Sequence, residues 1–353
     1  MTTNTIDLCE GLVNIGNNVT LIVGSPNEQH QFEKAKYVKS KGIRIIEIPD
    51  LHSGVLNKVR AFISLSKELI RGKYDAIHLE SIYLSLIPKI LHKKFTVTLH
   101  SWGLPKNIFA PKATRIIAIS QGMKEEAVQR HGYKDEEIDI VLHGVSERFA
   151  IPVSAGEREA MKSQYGIPEN KIVIGIVGSV QPRKGHHYLL EAVSRLDTTK
   201  RERIHLVFCG NPLNKDNEVW INAEIDKYSL KSQVTRIAYT DPINVYRCLD
   251  IFCLPSVWEG FPLVAIEAML AGNCLLRSNV QGAAEQIQNG VTGFTFRSED
   301  VEDLKLKLSS LIETPELIHK VGLQGQHYAL KHFTLNTMAE NTAKVYLKIL
   351  NQK

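Results

Sequence analysis

Two glutamates, Glu259 and Glu267, lie at a predicted turn between a strand and a helix. The short run 250–255 that precedes them is typical of a buried parallel strand. The run 263–271 favours a helix, and Gly272 would end it. Glu259 would therefore lie on the turn and Glu267 about one turn inside the helix. Both carboxylates could then accept hydrogen bonds from hydroxyl groups of a ligand.

The backbone of this turn is suited to a bound anion. Gly260 lets the chain pass close to a ligand, and Pro262 fits the first helical position, where no N–H is needed. We expect amide donors at Gly260, Phe261 and Leu263, at the positive end of the helix dipole. Amides for phosphate and carboxylates for sugar hydroxyls predict a nucleotide-sugar site. The alternative is a capped helix with two surface glutamates, because glutamate is common and short motifs give false matches.

A second candidate segment, residues 172–185, has the pattern of a strand, a turn and the start of a helix. Its basic pair, Arg183 and Lys184, could reach a diphosphate and offset the negative charge of a departing group. The alternative is a basic pair at an ordinary helix start, although cations there oppose the helix dipole. We therefore interpret both side chains as phosphate ligands.

These motifs resemble those of the retaining, family-4 type glycosyltransferases. Residues 259–269 resemble the two-glutamate signature of that family. Residues 178–185 resemble its segment Gly-Arg-x-x-Pro-x-Lys-Gly, in which Lys184 matches the lysine and Ser179 stands at the arginine position. Arg183 could supply the missing charge from a neighbouring position.

The resemblance implies an α/β fold with two Rossmann-like domains facing each other across a cleft, the GT-B arrangement. It implies an acceptor-binding domain over residues 1–150, a donor-binding domain over residues 151–335, and a last helix over residues 336–353 that crosses back. The reaction implied is transfer of a hexose from a nucleotide-diphosphate sugar to a hydroxyl of a glycan or lipid-linked acceptor, with retention of anomeric configuration. The setting implied is bacterial surface polysaccharide or lipopolysaccharide synthesis.

The resemblance also implies roles for single residues. Glu259 would contact sugar hydroxyls, Glu267 would bind the ribose, and Lys184 and Arg183 would stabilise the departing diphosphate. A UDP-sugar is favoured over a GDP-sugar as co-substrate, and no further cofactor is expected. The other donor-binding residues expected are Ser179, Gly210, Tyr239 and the turn residues Gly260, Phe261, Pro262 and Leu263.

His100 follows the predicted strand 95–99, and α/β sheets place ligands at the carboxyl ends of their strands. The family carries a histidine here, near the reacting carbon and the acceptor. The resemblance therefore groups His100 with Glu259 and Lys184 as catalytic residues. The alternative is a structural histidine, which is the commoner role of a lone histidine. His143, where the family usually has asparagine, is interpreted as structural.

The chain has 353 residues, of which 43% are hydrophobic and 23% charged, and this length suits two domains. Short β-rich runs alternate with helical patterns, which favours parallel sheets. The polar segment 145–166 between the halves, with Pro152, Gly156 and a short charged helix, is typical of a linker. The predicted strands are 19–23, 43–48, 76–79, 95–99, 115–119 and 138–142 in the first half, and 172–177, 204–209, 234–237, 251–254, 274–277 and 293–296 in the second.

The first domain lacks a sign of its first strand. Rossmann-like domains open with a strand and a glycine-rich turn, whereas this chain starts with a helical pattern at residues 5–13. The first strand is central in such sheets, so we expect a seam in the sheet of the first domain. Our hypothesis is that the natural protein begins upstream of Met1.

The net charge of +5 is unevenly distributed, because residues 81–124 contain no Asp or Glu. Basic and aromatic residues alternate in this span, which could meet anionic lipid head groups or an acidic acceptor. The alternative, equally open, is a solvated face beside two buried strands. A nucleic-acid partner is not expected, because no recognition motif is present. The residues expected on the acceptor or membrane face are Lys93, Lys94, Trp102 and Lys106.

Several other classes of site are not indicated. The chain contains no Asp-x-Asp sequence, which argues against a metal held by carboxylates, and no Walker-type phosphate loop. Five cysteines without Cys-x-x-Cys spacing predict reduced, buried thiols in a cytoplasmic protein. No apolar run approaches the roughly 18 residues that span a bilayer, so the membrane location considered is peripheral, at the inner face of the plasma membrane.

Two alternatives to a transferase stay open. A nucleotide-sugar epimerase of the same architecture would convert its substrate without an acceptor. A degenerate subunit would bind the nucleotide sugar without catalysis, which Ser179 and the missing strand favour and the intact segment 259–267 disfavours.

Overall fold

The computed structural model describes residues 2–25, 29–49, 54–81, 84–100 and 111–351. Within these residues the named strands all pair in parallel. The strands are β1 (Thr20–Gly24), β2 (Arg44–Ile48), β3 (His78–Leu79), β4 (Thr96–Leu99), β5 (Arg115–Ala118), β6 (Ile138–Ile140), β7 (Ile172–Val177), β8 (Ile204–Cys209), β9 (Val234–Ile237), β10 (Ile251–Leu254), β11 (Cys274–Ser278) and β12 (Phe294–Phe296). Each predicted strand coincides with one of these, so the α/β prediction is confirmed.

Helices lie between the strands, as the alternating pattern predicts. They are α1 (Thr3–Asn14), α2 (Gln29–Ser40), α3 (Gly54–Arg71), α4 (Leu86–Ile90), α5 (Gln121–His131), α6 (Ala155–Gln164), α7 (His186–Ser194), α8 (Thr198–Arg201), α9 (Lys215–Lys227), α10 (Ile243–Cys248), α11 (Leu263–Leu270), α12 (Ala283–Gln286), α13 (Val301–Glu313), α14 (Pro315–His332) and α15 (Leu335–Asn351).

The chain divides into two compact units. The first comprises Met1–Gly144 and Phe333–Lys353, and the second comprises Val145–His332. The observed boundaries fall earlier than residues 150 and 335, where the sequence places them. The last helix, α15, belongs to the first unit.

The short charged helix predicted within residues 145–166 is present as α6. The segment belongs to the second unit, however, and is not a linker between the halves. Arg158 of α6 donates hydrogen bonds to Asp250 Oδ1 at 2.6 Å and to the carbonyl oxygen of Leu249 at 3.3 Å. The polar composition therefore reflects the solvent-facing side of a helix that packs within the second unit.

The second unit contains one sheet of six strands in the order β12-β11-β10-β7-β8-β9. Every residue of β8, β10 and β11 is buried, because these strands are almost entirely apolar and have both faces covered. The direction of strand succession reverses between β7 and β10, which pair through Ile174 and Ile251. Doubly wound sheets bind their ligands at such a switch point, beyond the carboxyl ends of the strands.

The strands of the first unit form two separate sheets, β1-β2 and β3-β4-β5-β6. Within the described residues β1 pairs only with β2, and β3 pairs only with β4. A doubly wound sheet would have one more strand between β1 and β3. The expected seam is therefore present.

Helices α1 and α15 pack closely against each other in the first unit. Gly11 makes this possible, because a Cβ atom at this position would lie 2.4 Å from the carbonyl oxygen of Leu335. Leu8 and Leu12 of α1 form one apolar cluster with Met338 and other residues of α15. This packing brings the start of α1 beside the carboxyl ends of the strands of the four-stranded sheet in the same unit.

All five cysteines are free and buried. Burial raises the pKa of Cys9 and Cys274 to about 12 and that of Cys209 and Cys248 to about 11. In the part of the chain that the structure describes, no helix has the length and apolar character needed to cross a bilayer. The same residues contain no group of three or more His, Cys, Asp or Glu arranged to hold a metal ion.

Candidate active site

The predicted donor-binding residues collect at one edge of the second unit. Since the strands of this sheet are parallel, their carboxyl ends lie at the same edge. Ser179, Arg183 and Lys184 follow β7, and Glu259 follows β10. Gly210 follows β8 and Tyr239 follows β9.

Lys184 and Glu259 form an ion pair at the switch point of the sheet. Lys184 Nζ lies 2.6 Å from Glu259 Oε1, and both side chains are largely buried, with 13% and 9% of their surface exposed. A carboxylate and an ammonium are buried as a pair, because burying either charge without a partner costs free energy. Glu259, which the sequence predicts to bind sugar, and Lys184, which it predicts to bind diphosphate, are therefore in direct contact.

Arg183 lies beside the same carboxylate but is more exposed. One of its guanidinium nitrogens, Nη1, is 3.8 Å from Glu259 Oε2 and donates a 2.8 Å hydrogen bond to the carbonyl oxygen of Trp258. The guanidinium group also lies over the Trp258 ring, 5.6 Å from its centroid. Trp258 and Arg183 thus form the exposed rim of the pair that Lys184 and Glu259 make below it.

A close backbone approach holds the two loops together. Gly185 has φ +75°, and a Cβ atom there would lie 1.9 Å from the carbonyl oxygen of Pro255. The Val257 amide donates a 3.0 Å hydrogen bond to the carbonyl oxygen of Arg183. Only glycine satisfies both the left-handed conformation and the contact, so this position fixes the spacing between the β7 and β10 loops.

Glu267 is oriented by a tyrosine that sequence reasoning missed. The hydroxyl of Tyr246, a fully buried residue of α10, donates a 2.8 Å hydrogen bond to Glu267 Oε2. Burial raises the pKa of Glu267, and the hydrogen bond from Tyr246 opposes that rise. The carboxylate is therefore held in one orientation on the first turns of α11.

The turn before α11 differs from the prediction at one residue. Pro262 is the N-cap of α11 rather than its first helical residue, and the helix begins at Leu263. The carbonyl oxygen of Pro262 accepts a 2.9 Å hydrogen bond from Gln286 Nε2. Arg277, which is fully buried, donates in turn to Gln286 Oε1 and to the carbonyl oxygen of Gly282. Burial lowers the pKa of Arg277 to about 10.

The loops after β7, β8 and β9 are also connected. A Cβ atom at Gly210, which has φ +141°, would lie 2.1 Å from the carbonyl oxygen of Gly178. Ser179 Oγ accepts a 2.7 Å hydrogen bond from Gln181. The Tyr239 amide donates to Asn211 Oδ1 at 2.9 Å, and the residue is 79% exposed.

His100 belongs to a separate polar cluster in the first unit. Its Nε2 atom lies 2.7 Å from Glu80 Oε2, and its ring stacks on His143 with 5.4 Å between centroids and 5° between planes. Burial lowers the pKa of His143 to about 4, and the neighbouring charge of His100 adds to this effect. His143 thus lies beside the histidine that the sequence singled out.

The four residues expected on the acceptor or membrane face have different outcomes. Lys93 and Lys94 follow α4 with exposed side chains, and Lys94 Nζ lies 3.4 Å from the carbonyl oxygen of Ile349. Trp102 and Lys106 lie outside the described residues.

Comparison with known families agrees with this arrangement. The family described as "Glycosyl transferases group 1" matches residues 157–328, and "Glycosyltransferase Family 4" matches residues 1–149. The chain belongs to the group 1 glycosyltransferases.

Individual relatives of this group 1 glycosyltransferase are distant. It is 26% identical over 242 residues to D-inositol 3-phosphate glycosyltransferase of Rhodococcus jostii, a match that covers 67% of the chain and 52% of the relative. It is 25% identical over 285 residues to the Escherichia coli UDP-Gal:alpha-D-GlcNAc-diphosphoundecaprenol alpha-1,3-galactosyltransferase, covering 74% of the chain and 72% of the relative. The chain thus spans about half the length of the first of these relatives.

The fold of this group 1 glycosyltransferase matches that of solved relatives. The crystal structure of a glycosyltransferase from Rickettsia africae superimposes with a TM-score of 0.86 at 22% identity, covering 99% of this chain and 95% of that one. The prediction of two Rossmann-like domains of the GT-B class is therefore confirmed.

Proposed function

We propose that the chain transfers a hexose from UDP to a hydroxyl of a glycan or lipid-linked acceptor, with retention of configuration and without a metal. The contact between Lys184 and Glu259 at the switch point carries this proposal. It joins the cation suited to a diphosphate and the carboxylate suited to sugar hydroxyls where doubly wound sheets bind nucleotides. The relative from Escherichia coli is named for a UDP-sugar donor and a diphosphate-linked lipid acceptor, which supports the same substrate classes.

The ion pair supplies a mechanism for donor binding. Without ligand, Glu259 neutralises Lys184 and keeps both buried charges paired. A diphosphate brings negative charge to Lys184 and Arg183, and the hexose brings hydroxyl donors to Glu259. The amides of the turn before α11 add hydrogen bonds to the anion. As the glycosidic bond breaks, the two cations stabilise the charge that accumulates on the leaving UDP.

Glu267 supports binding of the ribose of the nucleotide. Its carboxylate, oriented by Tyr246, can accept two hydrogen bonds from the ribose hydroxyls. Positive charge from Lys184 and Arg183 supports metal-independent stabilisation of the diphosphate, because side chains take the role that a divalent cation has in other transferases.

Thermal unfolding with UDP, GDP or ADP tests the donor site. We expect UDP to raise the melting temperature most, since a ligand that binds only the native state stabilises it by mass action. Glu267→Ala should reduce the shift. Equal or absent shifts with all three nucleotides would contradict the proposal. Incubation with UDP-galactose alone, followed by analysis of the sugar, separates transfer from the epimerase alternative, which would change the sugar without an acceptor.

An exposed apolar stripe on α3 supports action at a membrane. Val55, Leu56 and Val59 expose 78%, 63% and 50% of their surface. Isolated apolar residues are common on protein surfaces, but several together on one helix need an explanation. The same helix carries four basic residues and one acid, Glu68. An apolar stripe beside basic residues is the pattern of a helix lying in an anionic lipid interface. The further exposed apolar residues are Phe62, Ile63 and Ile70, and the basic residues are Lys58, Arg60, Lys67 and Arg71.

Vesicle sedimentation tests this location. We expect the chain to sediment with vesicles containing anionic phosphatidylglycerol and less with pure phosphatidylcholine. Replacing Leu56 and Val59 by serine should abolish sedimentation, whereas Leu306→Ser, at a 57% exposed leucine of α13, should not. Equal sedimentation of all variants would contradict a role for α3.

A further inference from the structure

Glu80 is a carboxylate of the first unit to which the motifs assign no role. It follows β3, and His100 follows β4, which pairs with β3 in parallel. The two side chains therefore meet at the carboxyl edge of the sheet, where His100 Nε2 lies 2.7 Å from Glu80 Oε2. We propose that Glu80 is a positioning residue that holds His100 so that its other ring nitrogen, Nδ1, receives a hydrogen bond from the acceptor hydroxyl. This proposal rests on the proposed transferase function.

Several neighbours keep Glu80 ionised. Burial by itself would raise its pKa, but the hydrogen bond from His100 and the charges of His78 and His100 outweigh burial and lower the pKa to about 2. Thr5 Oγ1 also donates to Glu80 Oε2 at 3.3 Å, and His78 Nε2 lies 3.6 Å from Oε1. Glu80 can therefore only accept hydrogen bonds at neutral pH.

An ionised Glu80 determines which nitrogen of His100 carries the proton. The Nε2–H group donates to the carboxylate, so a neutral ring leaves Nδ1 as an acceptor. The parallel stack with His143 restrains the plane of the ring, and Asn4 Nδ2 lies 3.3 Å from His143 Nε2. Both the tautomer and the orientation of His100 are thus defined by its neighbours.

His100 Nδ1 is buried and finds no hydrogen-bond partner among the described residues. Native proteins satisfy nearly all such atoms, so this nitrogen is open to a hydrogen bond from water or from a ligand. His100, Glu80 and His143 line a small pocket together with Asn4 and Thr98. Its other lining residues include Leu8, Ile117, Ile119, Val141 and Met338, and most of its surface is apolar. A hydroxyl of a sugar or polyol is the ligand chemistry that Nδ1 accepts.

Nitrogen-15 spectra of histidine-labelled full-length chain test the positioning role directly. In the wild type we expect the His100 ring, assigned by loss of its signal in His100→Gln, to carry its proton on Nε2. Glu80→Gln should shift the His100 ring signals, because a neutral amide replaces the charged acceptor of the Nε2–H group. Glu80→Asp keeps the charge and should shift these signals less.

Glu10→Gln is the matched control. Glu10 is a partly buried carboxylate of the same unit that accepts hydrogen bonds from Tyr37 and Lys41 instead of a histidine. Its replacement should leave the His100 spectrum unchanged. An unchanged spectrum in Glu80→Gln would overturn the proposal, and so would an equal change in Glu10→Gln.

Release of UDP from UDP-galactose, with water as the acceptor, tests the consequence for turnover. We expect Glu80→Gln to lower the rate about tenfold while the thermal shift with UDP stays that of the wild type. An unchanged rate, despite an altered His100 spectrum, would overturn the acceptor role. A wild type that UDP does not stabilise would instead contradict the proposed function, and the histidine spectra would still decide whether Glu80 positions His100.

Discussion

Lys184 Nζ lies 2.6 Å from Glu259 Oε1, although the two residues are 75 positions apart in the sequence. One follows β7 and the other follows β10, so the pair spans the point where strand succession reverses. Its charges cancel within a largely buried site. A ligand that replaces this contact must therefore offer an anion to the lysine and hydrogen-bond donors to the carboxylate at the same time.

Single and double replacements separate the stability of this pair from its function. Lys184→Met removes the nearest cation from Glu259, whose contact with Arg183 is longer, and we expect a loss of about 1–3 kcal/mol in the free energy of unfolding. The double variant with Glu259→Gln removes both charges and should recover most of that loss. Urea unfolding measures these values. Both variants should lose the thermal shift with UDP, and a shift retained in the double variant would contradict the donor assignment.

Tyr246→Phe tests whether Glu267 needs its hydrogen bond. Removing the hydroxyl leaves a buried carboxylate without its donor, so we expect about 1–2 kcal/mol lower stability and about tenfold weaker UDP binding. Isothermal titration with UDP measures the affinity. Tyr188→Phe is the matched control, because Tyr188 makes an exposed 3.0 Å hydrogen bond to Glu299 in the same unit. Equal effects of the two changes would contradict a specific role for Tyr246.

The sequence predicts candidate donor-site residues, whose roles stay predictions, more readily than the residues that support them. The strands and the candidates Lys184, Glu259 and Glu267 were recognisable, because buried runs and a motif are local patterns. Tyr246 and Arg277 were not, since each looks like an ordinary member of its element. Their importance arises from partners that only the folded chain brings within 3.5 Å, Glu267 for the tyrosine and the Gly282 carbonyl for the arginine.

The same limit explains what the sequence does not reveal in the first half and at the boundary between the units. Glu80 carries no motif, and its contact with His100 depends on the register of β3 against β4. The charged helix within 145–166 is recognisable in the sequence, but the hydrogen bonds of its Arg158 to residues about 90 positions away, which tie it to the second unit, are not.

Gly185→Ala tests the close approach between the two loops. A Cβ atom would lie 1.9 Å from the Pro255 carbonyl oxygen, and φ +75° is unfavourable for alanine, so we expect a loss of more than about 2 kcal/mol. The control is Gly156→Ala on α6, where nothing lies within 4 Å of the added atom. That change should be neutral or stabilise by up to about 1 kcal/mol. Urea unfolding of both variants gives the comparison, and similar stabilities would contradict the predicted clash.

His186 should make the second unit sensitive to acid. It is fully buried, and neither ring nitrogen has a partner among the described residues. Burial lowers its pKa from 6.5 to about 3, with smaller effects of the charges on His187, Lys184 and Arg236. The unfolded chain therefore binds a proton below pH 6.5 that the native chain does not bind, and stability falls as the pH decreases from 6.5 towards 3.

The size of this effect follows from the pKa difference. Between pH 6.5 and pH 5.0 the loss from His186 is 1.5 pH units at about 1.36 kcal/mol each, or about 2 kcal/mol. His186→Phe should remove that loss while keeping the ring packed against Phe208 and Trp220. Urea unfolding at pH 7.0 and 5.0 measures the difference. The exposed His319→Gln should leave it unchanged, and a pH dependence that persists in His186→Phe would contradict the assignment.

The buried thiols allow the opening of each unit to be measured separately. Cys9 belongs to the first unit, whereas Cys209, Cys248, Cys253 and Cys274 belong to the second. A thiol with a raised pKa and no access to solvent reacts with an alkylating reagent only when its surroundings open. The rate at which Cys9 is alkylated therefore measures how fast the first unit opens. The alkylation rates of the other four cysteines measure how fast the second unit opens. Both rates can be followed in one sample without an engineered reporter.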